Sequence, residues 1–144
     1  MMLEHANLTV TSIDEAKRFL TTAFPDFDVR GGGFLHGDES LGDWVHLGND
    51  DTYLALQQNR TPAGDGGQTY ITAGVNHLGF VVEDVDSIMA RLDAAGYAPS
   101  DASSLTGHPH RRRVYYVDGN GFEWEFVEYL SAAPAERNFY ESAG

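Results

Sequence analysis

The chain has 144 residues, 42% of them hydrophobic and 12% aromatic, which suits one globular domain with its own core. Its formal net charge is −13, with Lys17 the sole lysine, so it lacks the basic surface that nucleic acid or an anionic membrane demands. The absence of cysteine excludes disulfides and thiolate metal sites.

No apolar run approaches the roughly 20 residues that span a bilayer. The opening MMLEHANLTV lacks a basic stretch followed by an apolar one, so a cytoplasmic protein is expected.

Residues 3–10 alternate as a strand, with Ala6, Leu8 and Val10 on one face and His5, Asn7 and Thr9 on the other. A helix is predicted from about Ser12 to Phe24. Ser12 can cap it, Asp14 and Glu15 suit its first turn, and Pro25 follows its end. Ile13, Ala16, Phe19, Leu20 and Ala23 form its apolar stripe. Strands are predicted at about 27–36, 43–48 and 52–58, the first carrying three glycines at 31–33 that point to a bend or a close backbone approach. Residues 59–74 read as a connector, rich in Gly, Pro, Asp and Thr.

The pattern then restarts. A strand at 75–83 leads to a helix at 84–95 ended by Gly96, and strands follow at 97–100, 111–118 and 122–129. Asp118-Gly119-Asn120-Gly121 is a hairpin turn between the last two. Pro134 to Ser142 is a candidate terminal helix. The expected organisation is one domain: module one at about 1–58, the connector 59–74, module two at about 75–130, and a tail 131–144.

The two halves are copies. At an offset of 72, His5 matches His77, Leu8 matches Phe80, Val10 matches Val82 and Leu20 matches Leu92. The last strands align at an offset of 70, which sets Ala55 against Glu125. Each half is strand, helix, three strands. The fold class is therefore α+β: two tandem βαβββ modules forming a cup-shaped, barrel-like mixed sheet with helices outside.

Strand alternation collects His5, Trp44, His46, Tyr53, Gln57, His77, Glu123 and Glu125 on the faces away from the helices. If the halves pair about a pseudo-twofold axis, His5, His77 and Glu125 converge, and Ala55 leaves the fourth symmetric place empty. Two imidazoles and a carboxylate with open positions suit a divalent ion such as Fe, Mn, Ni or Zn. Glu123 is a rival carboxylate nearer the turn. His46 reads as a pocket residue, with Trp44, Tyr53 and Gln57. His36, His108 and His110 read as loop residues. In the run Arg111 to Arg113, one arginine, together with Tyr115 or Tyr116, can reach the same lining. Arg113 and Tyr115 are taken as the candidates.

The segments LEHANLTV, NHLGFVVEDVD and DGNGFEWEFVEY together resemble the vicinal oxygen chelate superfamily over nearly the whole chain. That group includes glyoxalase I, fosfomycin-resistance enzymes, methylmalonyl-CoA epimerase, extradiol dioxygenases and bleomycin-resistance proteins. The sequence departs from the family pattern at Gly119, where proline is common.

The resemblance implies metal ligands at His5, His77 and Glu125, and an ion that chelates adjacent oxygens of a small oxygenated substrate. It also implies a homodimer, with the modules paired within one chain or exchanged across two. Glyoxalase I and the epimerase carry a fourth ligand where this chain has Ala55, so typical glyoxalase I activity is not expected. The alternative reading is a bleomycin-resistance-like protein that sequesters a small molecule without a catalytic metal.

Overall fold

The computed structural model describes residues 3–58 and 74–140, so nearly all of the connector predicted at 59–74 lies outside the described residues. The elements are β1 (His5–Val10), α1 (Ile13–Ala23), β2 (Asp28–Phe34), β3 (Asp43–Gly48), β4 (Tyr53–Gln58), β5 (His77–Val82), α2 (Val85–Ala94), β6 (Pro99–Asp101), β7 (Arg111–Val117), β8 (Glu123–Tyr129) and α3 (Pro134–Arg137). Short 3-10 turns at 35–37, 39–41 and 103–105 carry no signal in the sequence pattern. The terminal helix stops at Arg137, well short of Ser142, which lies outside the described residues.

Two compact units divide the chain. One holds β1 to β4 and the turn Asp118–Gly121; the other holds β5 to β8 and α3. Each contains a four-stranded mixed sheet, ordered β1-β4-β3-β2 in the first and β5-β8-β7-β6 in the second. The fold is thus the expected pair of βαβββ modules, built on two separate sheets rather than one closed barrel.

In the first unit, α1 starts where Ser12 accepts a hydrogen bond from the Glu15 N–H at 3.1 Å. This satisfies one of the amides that a helix start leaves open. The helix buries Ile13, Ala16, Phe19, Leu20 and Ala23, the stripe predicted from sequence, in a core with Leu8, Val10, Val45, Leu47, Leu54 and Leu56. Burying Phe19 or Leu20 contributes about 1.5–3 kcal/mol each. The turn belongs to this unit: Asn120 Oδ1 accepts from the Ser12 N–H at 2.8 Å, and the Gly119 N–H donates to Glu15 Oε1 at 3.2 Å. A proline at 119 has no N–H to give, so the chain's departure from the family pattern fits this local bond.

In the second unit, Asp84 caps α2 by accepting from the Asp86 and Ser87 N–H groups. Hydrogen bonds from the Ser87 hydroxyl and N–H, above all, hold its carboxyl below the usual range. Gly96, at φ +89°, ends the helix while the Tyr97 N–H returns to the Leu92 carbonyl at 3.0 Å. Trp124, Phe126, Tyr116, Val114, Val85 and Leu92 fill the core and are fully buried.

Both units tie the last strand to the helix start in the same way. Gln58 Oε1 accepts the Ile13 N–H at 3.0 Å in the first, and Glu128 Oε2 accepts the Val85 N–H at 3.1 Å in the second. Arg112 balances the added charge of Glu128 at 3.1 Å and reaches Asp86 at 2.7 Å.

Candidate functional site

Strand register carries the repeat into three dimensions. β1 runs parallel to β4 with His5 opposite Tyr53 and Asn7 opposite Ala55. β5 runs parallel to β8 with His77 opposite Glu123 and Gly79 opposite Glu125. The antiparallel neighbours repeat it: His46 lies opposite Ala55, and Tyr115 opposite Glu125. Ala55 and Glu125 are equivalent positions in two copies of one module.

In the second unit the polar face of β5, β7 and β8 gathers a connected cluster. His77 Nε2 lies 3.2 Å from Glu125 Oε2, and its Nδ1 lies 3.7 Å from Glu123 Oε2. The Tyr115 hydroxyl donates to Glu125 Oε1 at 2.7 Å, and Arg113 Nη1 stands 3.9 Å from the same oxygen. Gly79 makes room here, since a Cβ on it would come within 3.2 Å of Glu125 Oε2. The arginine run divides its work. Arg111 lies over the Tyr140 ring at 4.9 Å, Arg112 clamps the helix start, and Arg113 joins Glu125. Tyr116 points into the core, where burial pushes its hydroxyl up to about 12.

In the first unit the equivalent face carries rings. Tyr53 stacks on His5 at 4.8 Å and meets His46 at 4.7 Å, while Trp44 lies 4.9 Å from His46. Arg30 lies over the Tyr53 ring at 4.5 Å. His5 is exposed, with Nδ1 3.0 Å from Glu4 Oε2. Beside these rings is a cavity of about 280 Å³ lined by Asn7, Leu35, His36, Trp44, His46, Ala55, Leu56 and Gln57.

Trp44, His46 and Gln57 of the candidate lining therefore share one cavity, and Arg113, Tyr115, Glu123, Glu125 and His77 share one cluster. Tyr53 touches His46 but does not line the cavity. Sequence reading missed His36 as a lining residue, because the 3-10 turn that brings it to the cavity leaves no periodic signal. His108 and His110 behave as loop residues, each ring lying 5.9 Å from Phe139.

Donor atoms held at about 2.0–2.2 Å by one ion, at tetrahedral to octahedral angles, stand about 2.8–3.6 Å apart. The 3.2 Å between His77 Nε2 and Glu125 Oε2 lies in that range, so this pair fits two neighbouring coordination positions. Among the described residues no group of three or more His, Asp and Glu side chains is gathered to hold an ion.

The profile of the Glyoxalase/Bleomycin resistance protein/Dioxygenase superfamily matches residues 2–126. The chain belongs to that superfamily. No curated protein sequence matches it significantly. Solved structures share its fold at low identity. A glyoxylase/bleomycin resistance protein/dioxygenase domain from Frankia sp. EAN1pec is 21% identical with a TM-score of 0.72, covering 96% of this chain and 98% of its own. A glyoxalase family protein from Bacillus cereus is 17% identical with a TM-score of 0.72, covering 90% of this chain and 94% of its own. A variant of the fosfomycin resistance protein FosX from Listeria monocytogenes, complexed with Mn(II) and 1S,2S-dihydroxypropylphosphonic acid, is 16% identical with a TM-score of 0.64, covering 96% of this chain and 98% of its own.

Proposed function

We propose that this superfamily member is a metal-dependent enzyme in which His5, His77 and Glu125 hold one divalent ion, Fe, Mn, Ni or Zn, for a small oxygenated substrate. The observation that carries it is the His77–Glu125 pair, its donor atoms 3.2 Å apart and its carboxylate held from the other side by Tyr115. His5 enters through its repeat equivalence to His77 and its place on the exposed face of β1. When bound, the ion supplies Lewis-acid stabilisation of charge developing on substrate oxygens. This chain's own residues orient the carboxylate through Tyr115 and place the Arg113 cation beside it.

The reading includes a homodimer working in the cytoplasm. Each sheet ends in two edge strands, β1 and β2 in the first unit and β5 and β6 in the second, and sheet edges favour association.

A second reading, a small-molecule binder without catalytic metal, draws on the ring-lined cavity of the first unit. Metal content separates the two. After loading with each ion and desalting, elemental analysis is expected to find about one ion per chain, and His77→Ala is expected to lose it. Equal uptake by wild type and variant, or none by either, overturns the metal reading.

A further inference from the structure

The cavity of the first unit differs in chemistry from the cluster of the second. Its lining has two amides, two imidazoles, one indole and the aliphatic Leu35 and Ala55, with no Asp, Glu, Lys or Arg, while Leu56 borders it from the core side, its side chain fully buried. The Asn7, His36, His46 and Gln57 side chains make no hydrogen bond to another described residue, so four polar groups on the lining have hydrogen-bonding capacity to offer a ligand.

Its walls are built for room and flatness. Ala55, 5% exposed, presents only a methyl group where the sister module has Glu125. The Trp44 indole lies along the glycine strand, and a Cβ on Gly33 would stand 3.4 Å from its Nε1. His36 is the sole non-glycine residue with positive φ among the described residues, at 53°. That left-handed conformation is uncommon for a side-chain-bearing residue and brings His36 onto the cavity.

A volume of about 280 Å³ holds one substituted ring. An ion entering it would shed water without meeting an opposite charge, and the chain's net charge of −13 repels anions besides. Amides, which both donate and accept, match a ring carrying uncharged hydrogen-bonding groups.

We infer that this cavity is a recognition site for an uncharged planar ring bearing hydrogen-bonding groups, stacked on Trp44, floored by Ala55 and held through Asn7 and Gln57. The inference deepens the proposed function by giving the class of substrate, and rests on that reading only in taking the ring as part of the substrate.

The test follows Trp44 fluorescence in metal-free protein at pH 8 with EDTA present, the other tryptophan, Trp124, being fully buried. Benzamide is expected to change the emission with a Kd in the low millimolar range, which suits so few atoms. Phenylphosphonate, charged, is expected to bind at least about tenfold more weakly, and cyclohexanecarboxamide, not planar, at least about threefold more weakly. Ala55→Leu fills the floor and Gln57→Leu removes an amide without touching the core; each is expected to raise the benzamide Kd, the first by about tenfold or more. No emission change with benzamide, phenylphosphonate binding as well as benzamide, or unchanged affinity in both variants overturns the inference. Because EDTA removes the ion, ring binding without metal uptake counts against the metal reading alone, and metal uptake without ring binding counts against this inference alone.

Discussion

Ala55 and Glu125 hold the same place in two copies of one module, and their difference makes the two units chemically unlike. Glu125 faces Gly79 across the parallel pair and accepts from Tyr115 across the antiparallel one. Ala55 faces Asn7 and His46 in the same register and leaves a cavity. A large acid beside a glycine in one copy stands against a small methyl beside an amide in the other. The exchange gives one unit a candidate ligand and the other a candidate pocket.

Tyr115 is expected to act through Glu125, as a positioning residue. Its hydroxyl donates to Oε1 at 2.7 Å, leaving Oε2 on the His77 side. Tyr115→Phe keeps the ring and removes the bond. Metal affinity is expected to fall about 10- to 100-fold with the thermal midpoint little changed. Competition against a chromogenic chelator measures this; unchanged affinity in the Tyr115→Phe variant would show that Glu125 needs no such holder.

Glyoxalase I chemistry moves a proton between adjacent carbons and needs a base within hydrogen-bond reach, and Ala55 offers neither lone pair nor charge. Wild-type protein loaded with Ni, Zn, Co or Mn is expected to turn over the methylglyoxal–glutathione hemithioacetal slowly, about two to four orders of magnitude below an enzyme with that base. Ala55→Glu is expected to raise the rate. Robust turnover by the wild type would assign the base to another residue, such as Glu123.

Alkaline stability is expected to report on Tyr116. Burial, with the Asp93 carboxylate adding to it, raises its hydroxyl from 10.0 to about 12. The unfolded chain ionises first, so this contribution is whole below pH 10.0 and is lost progressively as the pH rises towards about 12. Denaturant midpoints measured from pH 9 upward are expected to fall more steeply for wild type than for Tyr116→Phe. Parallel curves would contradict this.

The strand-to-helix ties are expected to differ in weight. Glu128→Ala leaves the Val85 N–H unpaired and strips Arg112 of one partner, a loss of about 1–3 kcal/mol. Gln58→Ala leaves the Ile13 N–H unpaired as well, but the lost bond is neutral and no cation is stranded, so the loss is expected at the low end, about 1 kcal/mol. Urea unfolding of the two variants gives the order; a larger loss at Gln58 would reverse the assignment.

Much of this was legible because periodicity is local. Ser12, the α1 stripe and Pro25 marked a helix whose ends differ from prediction by about one residue, and β3 fell at 43–48 as alternation required. The offsets of 72 and 70 predicted that Ala55 and Glu125 would share a register position, because strand pairing follows the repeat. The triple glycine announced a close approach, and Gly32, whose Cβ would lie 2.9 Å from the Trp44 carbonyl oxygen, makes it. His36 was not legible, since a left-handed backbone within a short turn leaves no pattern in the residues around it. Nor was the partition of the arginine run: alternation sends Arg112 to the helix side, but Asp86 and Glu128 meet it only once α2 has docked on β7 and β8.

The proposed metal site puts one ion on His5, His77 and Glu125. Anomalous diffraction from Mn(II)-soaked crystals, collected to favour manganese, locates that ion. One strong peak per chain is expected within about 2.0–2.3 Å of an imidazole nitrogen of His5, an imidazole nitrogen of His77 and a carboxylate oxygen of Glu125, whether or not the two histidines come from one chain. No peak there, or a peak that leaves out any of the three, would contradict it.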